Sequence, residues 1–307
     1  MSGERQLDVL VVGDLFIELV MSGFPSWPRP GEEAFSERFC REVGGGAAIT
    51  ACGLAKLGAR VGIFGSVGEE DGQWVLNKLT ALGIATSTIH LDDREPTALT
   101  VSVSGPSDRA YLTYMGANRR LSELLGKAAS AGELSRARHI HLACAPDPAT
   151  VGDLFRTLAE QGCSLSADIG WHPEWLADPR CRQALRAVDM FFPNEREASH
   201  MTGGTDPEKM LEFLRDEGFR KVALKLGADG AALLWDGKII FQKASPVESV
   251  DTTGAGDCFD AGFLDAWLRG DAPQNCLRAG TVCGALSTRV LGGISGFPTK
   301  AELESTI

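Results

Sequence analysis

Short apolar runs alternate with segments of helical spacing along most of the chain. Leu7–Val12 is apolar and ends on Gly13-Asp14, the pattern of a buried strand. Ala47–Leu57 reads as a helix stopped by Gly58, Val61–Phe64 as a second strand, and Asp71–Leu82 as a second helix with Gly83 beyond it. Strand and helix candidates then follow in turn at His139–Cys144, Thr150–Gln161, Cys163–Ile169, Val188–Phe192, Asn194–Met201, Pro207–Glu217 and Lys221–Leu226. Such alternation predicts an α/β fold, a mostly parallel central sheet flanked by helices. Ligands of these sheets bind beyond the carboxyl ends of the strands, where Asp14, Asp168 and Asn194 fall.

Two segments depart from this rhythm. Residues 16–43 carry Gly23, Pro25, Pro28 and Pro30 among short strand-like pieces. Residues 96–116 read as a hairpin, in which TALTVSVS alternates apolar and polar, GPSD turns and AYLTYM returns. Neither can bury a core of its own. They predict one small β-sheet inserted into the α/β core of residues 1–15, 44–95 and 117–307, placed over the strand ends as a lid or as a homodimer contact.

Composition narrows the function classes. The chain has 307 residues, 44% hydrophobic and 23% charged, with a net charge of -11 and no Lys/Arg-rich run, so no nucleic-acid footprint is expected. No window of about 18 apolar residues suggests a membrane span, and the N-terminus lacks the pattern of a signal peptide. The cysteines at 40, 52, 144, 163, 181, 258, 276 and 283 form no C-x-x-C pair and read as reduced thiols of a cytoplasmic protein.

Two common nucleotide motifs are missing. Gly126-Lys127 is followed by Ala and makes no P-loop, and the first strand is followed by no G-x-G-x-x-G. The stretch VDTTGAGDCFDAGFLDAW, Val250 to Trp267, instead places Gly254, Ala255 and Gly256 before Phe259, Gly262, Phe263, Ala266 and Trp267, which share one helical face. A helix starting near Ala255 presents free N–H groups that suit a phosphate. By itself the pattern also allows Asp257 to be a dipole-complementing acid, and Asp251, Thr252 and Thr253 to be turn and cap residues.

Other motifs are equally double-edged. Three glycines before the helix in VGGGAAITACGLAKLG, Val43 to Gly58, allow a polar ligand to approach the backbone, or the helix to pack closely on the sheet. Asn194 and Glu197 share a helix face, as a capping box or as Mg²⁺ ligands acting through water. His139 and His141 lie on one side of a strand with no third metal ligand at a supporting spacing, which favours core histidines. The six tryptophans read mostly as core or sugar-facing packing.

Taken in order, the motifs resemble the ribokinase-like (PfkB) carbohydrate kinases over nearly the whole chain. The glycine pair Gly44-Gly45 is similar to the first family signature and DTTGAGDCFDAGF to the second. The resemblance implies an ATP-dependent phosphotransferase that moves a γ-phosphoryl group from Mg-ATP to a hydroxymethyl group of a sugar or sugar-like substrate. It implies Asp257 as the base and Gly254, Ala255 and Gly256 as the anion hole. Asp14, Glu18, Gly44, Gly45 and Asn118 would lie on the substrate side, and Asn194, Lys225, Gly227 and Gly230 on the nucleotide side. Glu197 would order Mg²⁺ through water, and Asp251 and Thr253 would help hold a monovalent cation such as K⁺.

Two departures concern the substrate. Glu18 stands where the family commonly has Asp, and Ile49 where many sugar-binding members have Asn. An apolar residue there removes a sugar partner and keeps a nucleoside kinase open as an alternative. A phosphosugar kinase would need cations such as Arg38, Arg41, Arg94 or Arg109 near the lid. A catalytically silent sugar or nucleotide sensor is the reading from outside enzymology.

Overall fold

The computed structural model describes residues 6–24, 26–27, 29, 31–104 and 109–307. The hairpin turn at 105–108, the prolines at 25, 28 and 30, and the side chain of Arg109 lie outside the described residues. The strands are β1 (Leu7–Gly13), β2 (Phe16–Ser22), β3 (Arg38–Gly44), β4 (Val61–Gly68), β5 (Ala85–Asp92), β6 (Ala98–Ser104), β7 (Arg109–Tyr114), β8 (Ala137–Ala143), β9 (Ser164–Ala167), β10 (Met190–Phe191), β11 (Lys221–Lys225), β12 (Ala231–Trp235) and β13 (Lys238–Gln242).

Among the described residues, nine strands form one sheet in the order β13-β12-β11-β10-β9-β8-β1-β4-β5. From β11 to β5 all neighbours are parallel, and β12 alone runs against them. Side chains alternate across a strand, so β1 serves two cores at once. Val9 and Val11 pack with helices Gly46–Leu57, Ala255–Leu268 and Pro273–Ser287. Leu10 and Val12 pack on the other face with helices Leu121–Ser130, Val151–Glu160 and Pro207–Asp216. The predicted α/β class, with both faces of a mostly parallel sheet covered, is what the chain adopts. The chain builds β4 and β5 on one side of β1 and β8 to β11 on the other, so its winding reverses between β1 and β8. Loops diverge at such a reversal and leave a crevice at the strand ends.

The small sheet has the order β3-β2-β6-β7 and is mixed. β2 pairs antiparallel with β3 and β6 antiparallel with β7, but β2 and β6 pair in parallel, Phe16 opposite Ala98 through Ser22 opposite Ser104. The reason lies in the large sheet. β2 continues β1 and β6 continues β5, and those two strands run the same way, so the chain leaves the core twice in one direction.

Local pattern placed the element centres better than their ends. The strand expected at Val61–Phe64 runs on to Gly68, while Cys163–Ile169 shortens to Ser164–Ala167. Asp168 ends the latter by accepting a hydrogen bond from Gly170 N–H at 3.1 Å, an Asx turn. β5, β12, β13 and the helices Leu121–Ser130 and Pro273–Ser287 were not foreseen. The β12–β13 hairpin did carry a signal, an Asp236-Gly237 turn with Asp236 at φ 45°. His139 and His141 are core residues, both wholly buried and joined through Ser166. Of the six tryptophans only Trp175 is buried, and Trp74, Trp235 and Trp267 pack partly against the core. All eight cysteines are free, and all but Cys40 are buried.

Candidate active site

A cleft of about 840 Å³ opens at the carboxyl ends of β9, β10 and β11. That is the size of a cofactor or nucleotide site. Asp168, Asn194 and Lys225 reach it from those three strand ends, and Glu197 joins them from the helix Glu195–Thr202. Gly254, Ala255, Gly256 and Asp257 line it at the start of the helix Ala255–Leu268. Gly227 and Gly230 lie along one wall, and Ser245, Pro246 and Val247 after β13 complete it with Thr281, Gly284 and Thr288.

The helix start is built for a close anion. Its N-cap is Gly254 at φ 70°, a left-handed conformation that glycine adopts without strain, and no side chain caps the first turn. A capping side chain would occupy the very donors an anion needs. Ala255 N–H does close a turn on Thr252 O at 3.2 Å, so the anion hole expected of all three residues shares one of its donors with the loop.

Asp257 is partly buried beside that turn, and its carboxyl is pushed up to about 7. Burial is the main cause and the charge of Asp168 the next, with Lys225 pulling the other way. A carboxyl poised near neutrality is suited to taking a proton. The glycine run explains its access. A Cβ on Gly46 would lie 2.8 Å from Asp257 Oδ1, so only glycine lets the helix Gly46–Leu57 begin against that carboxylate. Gly45, at φ 97°, is pressed against Asp14, where a Cβ would sit 2.2 Å from the Asp14 carbonyl oxygen. Consecutive glycines thus bring the end of β1 against Asp257. Gly46 was not singled out from sequence, although it is the third member of the run that was.

On the substrate side, burial pushes the Asp14 carboxyl up to about 6. Glu18 is buried on β2, and a Cβ on Gly44 would lie 2.7 Å from its Oε2. Asn118 is engaged by the backbone of Leu15. Its Oδ1 accepts from Leu15 N–H at 3.2 Å and its Nδ2 donates to Leu15 O at 3.1 Å, so it braces the backbone that carries Asp14. Ile49 packs against the anion loop: its Cδ1 would stand 2.8 Å from a Cβ on Gly254 and 2.7 Å from one on Gly293.

On the nucleotide side, the capping box is real. Asn194 Oδ1 accepts from Glu197 N–H at 2.9 Å, and Glu197 Oε2 accepts from Asn194 N–H at 3.0 Å. Asn194 Nδ2 donates to Glu197 Oε1 at 2.6 Å. The cap holds both carboxylate oxygens of Glu197 in place at the cleft wall. Burial, then the Asp168 charge, lifts the Glu197 carboxyl above its usual range. Gly227 lines the turn after β11, and Gly230 packs on β13, where a Cβ would meet Gln242 O at 2.0 Å.

Lys225 is not extended into open space. Its Nζ binds Asp168 Oδ2 at 2.7 Å and Asp260 Oδ1 and Oδ2 at 3.2 and 3.3 Å. Burial disfavours its charge, but the two carboxyls outweigh that and hold it protonated. Burial raises Asp168 too, yet Lys225 and a hydrogen bond with Asp260 overcome it and keep Asp168 ionised. Asp260 was missed from sequence. The signal was an acid one helical turn after Asp257 in an otherwise apolar helix.

Asp251 and Thr253 are not among the residues lining this cleft. Asp251 Oδ1 accepts from the Thr253 N–H and hydroxyl, both at 2.8 Å, and Oδ2 accepts from Gly292 N–H at 2.9 Å. It ties the anion loop to the 289–296 loop. Lys56 fastens that second loop from the helix Gly46–Leu57 by donating to Ile294 O at 2.8 Å.

Known proteins share this architecture. The chain is 28% identical over 282 residues to 2-dehydro-3-deoxygluconokinase of Bacillus subtilis, covering 87% of each protein. It is 32% identical over 256 residues to an ATP-dependent ribose-1-phosphate kinase of Halopiger xanaduensis, covering 82% of each. The fold superimposes with a TM-score of 0.83 on a putative ribokinase II of E. coli in complex with ATP and Mg²⁺, at 23% identity and over 97% of this chain and 98% of that one. The family described as pfkB family carbohydrate kinase matches residues 6–300. The chain therefore belongs to the pfkB family of carbohydrate kinases, as a phosphotransferase with an alcohol group as acceptor.

Proposed function

We propose that this kinase moves the γ-phosphoryl group of Mg-ATP to a hydroxymethyl group of a sugar or sugar-like substrate, with Asp257 as base. The observation that carries the reading is the Asp257 carboxylate, poised near neutral pH between an uncapped helix start and the substrate-side glycines. The substrate oxygen attacks phosphorus as its proton passes to Asp257. The bond from phosphorus to the bridging oxygen breaks, and ADP leaves with that electron pair. Backbone donors at 254–256 stabilise charge on the transferred group, which positioning and electrostatics dominate in this chemistry.

The donor set suits a divalent ion held through water. Glu197, locked by Asn194, lines the cleft and would order the ion through water. Bound Mg²⁺ would neutralise phosphate charge there. Asp251 and Thr253 remain the proposed neighbours of a monovalent cation such as K⁺. Asp14, with Glu18 and Gly44-Gly45, would orient the acceptor, and Asn118 would act through Leu15. The small sheet of residues 16–43 and 96–116 would close over the acceptor and exclude water. Eight free cysteines and the use of ATP suit a cytoplasmic setting.

Ile49 packs against Gly254 of the anion loop, and a nucleoside remains the alternative acceptor. The reading is tested by ADP release from Mg-ATP over a panel of sugars, sugar phosphates and nucleosides, with and without K⁺. Turnover with a sugar supports it, turnover confined to nucleosides replaces it, and ligand-dependent melting shifts without turnover would make the protein a sensor.

A further inference from the structure

Lys225 stands within reach of the base and yet is paired elsewhere. A Cβ on Gly256 would lie 3.4 Å from Lys225 Nζ, which sets the ammonium against the first turn of the helix that carries Asp257. The carboxylates of Asp168, Asp257 and Asp260 all lie within 4.8 Å of one another. Lys225 binds two of the three, Asp168 and Asp260. Asp260 follows Asp257 by three residues and so shares its helix face. It is wholly buried, and the cost of burying it calls for a function. His141 backs it from β8, with Nε2 at 4.0 Å from Asp260 Oδ2 and no hydrogen-bond partner of its own.

An ammonium free to turn to Asp257 would pair with it, occupy its oxygens and favour its ionised form, which weakens it as a base. We propose that Asp260 is a positioning residue which, with Asp168, detains the Lys225 ammonium and keeps the Asp257 carboxylate free to take the hydroxyl proton. This rests on Asp257 being the base. The titratable groups facing Asp257 are Asp168 after β9, Glu197 on the helix Glu195–Thr202, Lys225 on β11 and, on its own helix, Asp260, whose carboxyl burial pushes well above the usual range. Of these only Lys225 is a cation.

The test compares Asp260→Ala with Asp260→Asn in the full-length enzyme, through kcat and the pH profile of kcat/KM for the acceptor. Both variants remove the Asp260 carboxyl, but Asn keeps an oxygen that can hold Lys225. Asp260→Ala is expected to lower kcat about tenfold or more and to move the acid limb down by about one to three pH units. Asp260→Asn is expected to move it less and to recover much of kcat. In a Lys225→Met background the difference between the two should vanish. Equal shifts in Ala and Asn, or a difference that persists without Lys225, would overturn the proposal. Should Asp260→Ala not fold, Asp260→Asn against Asp260→Ser supplies the same comparison. Full turnover in Asp257→Asn would instead remove the base assignment itself, so the two failures are separable.

Discussion

The α-carbon of Gly46 faces Asp257 so closely that a methyl group there would lie 2.8 Å from Oδ1. Residues more than two hundred positions apart thereby set one clearance beside the carboxylate proposed as the base. Gly46→Ala separates stability from activity. The helix-interior advantage of alanine over glycine, about 1 kcal/mol, is reduced at this first helical position and opposed by the methyl 2.8 Å from Oδ1, so melting temperature should change little. Turnover should fall about a hundredfold, since displacement of a reacting group by about 1 Å has that effect. ADP release together with a thermal melt checks both.

Asp257→Asn should lose about 10² to 10⁴ in kcat while still binding nucleotide. It should also gain stability in a pH-dependent way. The folded pKa of Asp257 is about 7 against 3.8 as reference, so its contribution is fully present below about 4 and lost as pH rises through 7. Asparagine carries no such penalty. The variant should melt above wild type at pH 8, with the gap closing towards pH 4. A constant gap would mean the carboxyl is not perturbed.

Activity should rise with pH through the range set by Asp14 at about 6 and Asp257 at about 7. Both must shed a proton to serve as acceptors. A kcat/KM profile already flat from pH 5 upwards would contradict the buried state of these two groups.

Asn118→Ala strips both hydrogen bonds from the Leu15 peptide. Buried groups left unsatisfied cost about 1–3 kcal/mol. Because the peptide adjoins Asp14, KM for the acceptor should rise while KM for ATP stays unchanged. Equal rises in both would mean a general loss of order.

One face of the small sheet exposes Phe39, Leu112 and Tyr114, with Leu112 69% exposed. Such a patch suits a second copy of the chain. Sedimentation should show a homodimer that Leu112→Glu dissociates; a wild-type monomer at micromolar concentration would exclude it.

Local pattern carried much of this protein. The period of the apolar residues located β1, β8 and the helices Gly46–Leu57 and Ala255–Leu268 to within a residue or two, because strand and helix faces are written in adjacent positions. The Asn194–Glu197 cap was legible because its partners are three residues apart. The order of these motifs along the chain sufficed for the family. Tertiary structure alone decided what no spacing encodes: the parallel pairing of β2 with β6, the packing of Ile49 against Gly254, and the bonding of Asn118 to Leu15. It also decided which acids hold Lys225, since Asp168, Lys225 and Asp260 come from three elements that meet only when the sheet and helix pack. Charges from separate elements interact by distance in space, and only the packed chain sets that distance.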